Sequence, residues 1–82
     1  MEERRIGIIG IIVEDLNSAN TLNAVIHDFN HIVIGRMGIP YKERNISVIS
    51  LIVDGTNNEI SSFTGKLGRI PNISVKSALT KK

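Results

Sequence analysis

Two stretches of the sequence, Ile6 to Val13 and Ile46 to Val53, are apolar or small at almost every position. A strand covered on one face alternates apolar and polar residues, and these mostly do not. Each therefore predicts a strand in the middle of a sheet whose two faces both need cover. Only two other segments carry helical periodicity, enough to cover one face of a small sheet. The second face then calls for cover from outside, most simply another copy of the same chain.

The remaining segments fit around those two strands. The first strand runs from Arg5 to Glu14, followed by a loop whose last residues suit a helix start. Leu22, Val25, Ile26 and Phe29 form one stripe of a helix over Ala19 to Asn30, with Asn30 as a left-handed stop. His31 to Ile39 reads as a second strand, bent or bulged at Gly35 and Gly38. Pro40 removes a backbone donor and so places that strand at an edge. Tyr41 to Asn45 is a hairpin loop, and Ile46 to Asp54 is the third strand. Thr56 and Glu59 have the spacing of a capping box. The helix they open carries Ile60, Phe63 and Leu67 on one stripe and stops at Gly68, before Pro71. Ile73 to Thr80 alternates as a last strand. The order β-α-β-β-α-β, with right-handed crossovers, predicts an α+β ferredoxin-like sandwich. Its four-stranded antiparallel sheet has order 4-1-3-2 with two helices on one face. That order puts the two most apolar runs at the centre. The 82 residues make one domain, 1–82.

Composition removes several chemistries. There is no cysteine, so disulfides, thiolate metal sites and thiol nucleophiles are excluded. The three aromatic residues are Phe29, Tyr41 and Phe63. None lies in the two central runs, which excludes the base-stacking surface of an RNA-recognition module. No GxxxxGK[ST] or GxSxG motif occurs, and no base, nucleophile and orienting group are brought together by any motif. The expectation is no enzyme, no metal and no cofactor. His27 and His31 are four apart, but the helix ends between them and no third ligand completes a set, so both read as surface histidines. Gly65-Lys66-Leu67-Gly68 matches the GxxG of a nucleic-acid clamp in form, yet it reads as a helix stop. No secretory signal or membrane-spanning run is apparent, and a cytoplasmic, membrane-free protein is expected.

The net charge is +2, but all eight acidic residues lie at or before Glu59. Beyond it come Lys66, Arg69, Lys76, Lys81 and Lys82. This basic segment reads as a solvated strand and tail, with nucleic-acid contact as the alternative. Glu14 and Asp15 sit at the first strand–helix junction, where ligands often lie in this architecture. Glu14, Asp15 and Asn17 are therefore the candidate ligand-binding residues, by position only; solvated loop charges are the alternative.

From Ile60 to Lys76 the sequence, and above all Gly65-Lys66-Leu67-Gly68 followed by the apolar-x-x-apolar-x-Val-Lys pattern, resembles a small Thermotoga-type family called iron-only hydrogenase system regulators. Val13-Glu14-Asp15 and Gly38-Ile39-Pro40 are similar too. The resemblance implies an ACT-like domain, related in shape to the C-terminal domain of the nickel-responsive repressor. That domain binds nickel through His and Cys, and this chain has no Cys, so nickel sensing does not carry over. Amino-acid-binding ACT domains carry a glycine after the first strand. Here the loop is Glu14-Asp15-Leu16-Asn17-Ser18, so amino-acid binding does not carry over either. The resulting expectation is a stand-alone ACT-like regulatory domain, a homo-oligomer (dimer or tetramer) binding a small effector at a subunit junction. A non-enzymatic adaptor that covers a protein partner is the alternative, and nucleic-acid binding through the basic segment a further one.

Overall fold

The computed structural model describes residues 3–80. β1 (Arg4–Val13) leads through a short 3-10 turn into α1 (Ala19–Asp28), then β2 (Val33–Tyr41), β3 (Ile46–Thr56), α2 (Asn57–Gly68) and β4 (Ile73–Leu79). The sheet runs β2-β3-β1-β4 and every pairing is antiparallel. This is the expected 4-1-3-2 order, seen from the other edge. β2 is an edge strand, with Pro40 opposite Ser47 and a bulge between Val33 and Gly35.

The pleat divides the two central strands cleanly. Ile9, Ile11 and Val13 of β1 and Ile49, Leu51 and Val53 of β3 point inward and are buried. Above them lie Leu22 and Ile26 of α1, Phe29 just past its end, and Ile60, Phe63 and Leu67 of α2. These are the stripes read from the sequence. Phe29 and Phe63 stack at the centre of the layer, ring centroids 4.6 Å apart.

Two helix stops differ from expectation. Asn30 does not end α1 in a left-handed conformation; it opens a 3-10 turn, Asn30–Ile32, in which the Ile32 N–H bonds to the Phe29 carbonyl at 3.0 Å. The tightened turn buries both Phe29 and Ile32, which a left-handed residue would have splayed apart. Gly68 is likewise still helical, and the chain leaves α2 through Arg69 in a right-handed conformation. The Ile70 N–H then bonds the Leu67 carbonyl at 3.1 Å and Ile70 drops into the core. The left-handed residues are Asn45, in the β2–β3 hairpin, and Asn72, beside Pro71.

The capping box forms as read. The Thr56 hydroxyl accepts the Glu59 N–H at 3.1 Å, and the Glu59 carboxylate accepts the Thr56 N–H at 2.9 Å. Glu59 also meets His31 at 3.2 Å and Arg4 at 3.8 Å, tying α2 to the turn after α1 and to β1. The Thr56 backbone N–H holds its carboxyl below the ordinary 4.5; lost hydration opposes this, and the Thr56 hydroxyl and His31 add to it. Because folding lowers this pKa, the carboxylate's contribution is full at neutral pH. It fades as pH drops from the unfolded-state value through the lowered one. Glu59→Gln keeps the reach without the charge and is expected to flatten the acid side of the stability curve. Thermal unfolding from about pH 7 to about pH 3 checks this.

Candidate functional site

The helices occupy one face of the sheet and leave the other open. On that outer face stand Ile6, Ile8 and Ile12 of β1, Val48 and Ile52 of β3, and Met37, Ile39 and Tyr41 of β2. Each is between 40% and 66% exposed. Together they bare on the order of 700 Å² of contiguous apolar surface, above the few hundred Å² usual on a monomer. The middle of the face carries no ionisable group. Its charges sit at the margins: Lys76 on edge strand β4, and Asp54, which pairs with Arg4 at 3.2 Å. Such a surface is suited to contact by area and shape; its polar side chains between the margins are the hydroxyls of Ser50 and Tyr41.

Register arranges these side chains in rows across the strands. Ile52 stands opposite Ile8, and Val48 opposite Ile12. Between the two rows Ser50 stands opposite Gly10. The face is therefore two aliphatic ridges with a trough between them, Met37 at one end and Lys76 at the other. A hollow of about 250 Å³ bordered by Gly35, Arg36, Met37, Ser50 and Ile52 opens from the β2 end of this trough.

The strand–helix junction is built differently. Asp15 caps the turn at Leu16–Ser18: its carboxylate accepts the Asn17 N–H at 2.9 Å and the Asn72 side-chain amide at 3.4 Å. The Glu14 N–H bonds the Asn72 carbonyl at 2.9 Å, and the Ser18 hydroxyl donates to the Pro71 carbonyl at 2.8 Å. Asp15 thus locks the β1–α1 connection to the α2–β4 connection. Glu14 and Asn17 are on the same loop with exposed side chains. Asp15→Ala is expected to cost about 1 kcal/mol through the lost cap. Glu14→Gln should stay within about 0.5 kcal/mol. Denaturant titration of both variants separates a structural carboxylate from a surface one.

His27 and His31 go separate ways. His27 is exposed on α1, whereas His31 pairs with Glu59. Among the described residues no group of three His, Asp or Glu is placed to hold a metal. Gly65 to Gly68 lies within the last turns of α2, not in a loop. In the basic segment, Lys66 sits over the Phe29 ring, 5.3 Å from its centroid. Lys76 is on the outer face of the sheet, and Lys81 and Lys82 lie outside the described residues. No helix among the described residues is long and apolar enough to cross a membrane.

This architecture defines an ACT-like domain. The ACT domain of a GTP pyrophosphokinase from Chlorobium tepidum matches it with a TM-score of 0.72 at 16% identity, over 95% of this chain and 100% of that one. The C-terminal domain of the MgtC protein from Mycobacterium tuberculosis matches with a TM-score of 0.70 at 14% identity, over 99% and 93%. Both likenesses show fold alone. The sequence goes further: residues 5–77 match the TM1266-like family model, described as "Iron-only hydrogenase system regulator, putative". An uncharacterized protein from Thermotoga maritima, TM1266, has a TM-score of 0.91 and 31% identity, over 96% of this chain and 100% of that one. The chain belongs to the TM1266-like family. A search of curated proteins finds no match.

Proposed function

We propose that this chain is an ACT-like regulatory domain of an iron-only hydrogenase system, working as a homo-oligomer whose association is set by a small effector. The uncovered sheet face carries this reading. Its apolar area belongs to a surface that is covered when the protein works, and family membership supplies the regulatory setting. An effector held at a junction between copies shifts their association only by binding the assembled and separate states unequally. Glu14 and Asn17, exposed beside the braced Asp15, are the polar groups offered to it.

Native mass spectrometry and sedimentation of protein purified from its own source test the reading. Dimers or tetramers carrying a small molecule lost on dissociation are the expected result. A stable monomer at micromolar concentration overturns it. A recurrent heterologous partner in place of a second copy also overturns it, in favour of an adaptor.

A further inference from the structure

We infer that two copies stack outer face to outer face about a two-fold axis, the Ile12–Val48 ridge of each lying in the Gly10–Ser50 trough of the other. This rests on the self-association just proposed and specifies its surface and register. The occupant is a second copy for a reason of size. Without Ile6, which lies outside the overlap, the face bares on the order of 600 Å² per copy, the lower end of what a stable interface buries.

Shape and charge then select the register. Successive rows on one face are two residues, about 7 Å, apart along the strands. A two-fold axis lying in the interface, parallel to the trough and midway between two rows, exchanges those rows between the copies. Trough and ridge are therefore self-complementary if the axis falls beside Gly10–Ser50, on either side. Placed toward Ile8–Ile52, the axis sets the Val48 row against the row of Ile6 and Asp54, and the Asp54 carboxylate enters an apolar interface. Placed toward Ile12–Val48, it sets the row of Tyr41 and Ile46 against Ile8 and Ile52, and leaves Asp54 with Arg4 outside. Every facing row in that second arrangement is apolar or small between β1, β2 and β3, and its one carboxylate, Glu14, follows β1 in line with Tyr41 and Ile46 at the rim of the overlap. The result is an aligned sheet-on-sheet packing with the sheets about 10 Å apart.

The edges of the sheet suit association less well. β2 carries Pro40, a bulge and Arg36. Pairing through β4 would leave the outer face as bare as before. In β4 the Asn72 carbonyl and the Thr80 N–H bond to β1, so the alternate residues Val75, Ser77 and Leu79 turn their backbone groups outward. Those amides report on edge pairing directly.

Gly10→Val is the decisive variant. A Cβ at Gly10 meets nothing nearer than the Lys76 carbonyl at 3.8 Å, so the single domain accepts it, and valine favours a strand. It fills the trough. The expected result is a dimer dissociation constant at least 100-fold higher by sedimentation, with unfolding of the separated chain unchanged or slightly later. Tyr41→Lys should also weaken the dimer. Ile6→Lys, outside the overlap, should leave it within about threefold, and the Val75, Ser77 and Leu79 amides should exchange as fast in the dimer as in the monomer. A wild-type monomer overturns the self-association reading and this register with it. A wild-type oligomer that tolerates Gly10→Val, or that protects those three amides, overturns the register and leaves self-association standing.

Discussion

Phe63→Ala is expected to remove about 3–5 kcal/mol of stability, the largest loss any single truncation of this chain should produce. Phe63 is wholly buried under α2 and stacks on Phe29 with the ring planes 14° apart. Truncation leaves a void where α2 crosses the sheet, and it removes the support of the Phe29 ring, over which Lys66 is poised. The core around it is aliphatic and anchored to the sheet by Ile9, Ile11, Leu51 and Val53, so it cannot collapse far into the gap. Small domains have only about 5–15 kcal/mol to lose, and 1 kcal/mol moves the midpoint by about 4–8 °C at this size. A fall of about 12–40 °C is expected, with a smaller one for Phe63→Leu. Melts at one fixed protein concentration check it, because an oligomer's midpoint depends on concentration. A drop of only a few degrees would mean the two rings do not carry the core.

The sequence disclosed the parts of this fold that depend on period and on side-chain chemistry. Doubly apolar runs marked β1 and β3, and both are central strands, apolar on the helix-covered face and on the bare one. Pro40 marked the edge because a missing N–H is harmless only there. Thr56 and Glu59 marked the start of α2 through a local bond that needs no tertiary context. Helix ends were less legible. Asn30 and Gly68 are good left-handed stops by type, yet burial of Ile32 and Ile70 a step later required right-handed exits, and that demand comes from the core. The junction shows the same limit. Asp15 read as a ligand group from its position, and nothing in the sequence marked the bond that also braces it. Its partner Asn72 is 57 residues away, and only the folded chain brings the two together. The trough was hidden too. Gly10 and Ser50 each look like a gap in an apolar run, and only the β1–β3 register aligns them into one.

Ile12→Glu should abolish self-association while leaving the single domain folded. Ile12 is partly exposed on the outer face, opposite Val48 and Ser74, and makes no part of the helix-covered core. In the separated chain a carboxylate there reaches water, so the cost is the lost strand preference, up to about 1 kcal/mol. In the dimer each copy would press that carboxylate into the partner's trough, and the two-fold axis brings two of them together. An unpaired charge taken from water costs several kcal/mol, and here it is paid twice. The dissociation constant should therefore rise by a factor of about 1,000 or more, since each 1.4 kcal/mol is tenfold. The concentration dependence of unfolding separates this from simple misfolding. The wild-type midpoint should climb with protein concentration, because assembly withdraws folded chains from the equilibrium. The Ile12→Glu midpoint should stay flat, up to about 4–8 °C below the value the wild type reaches at high dilution. A variant that still assembles at micromolar concentration would show that the copies meet somewhere other than this face.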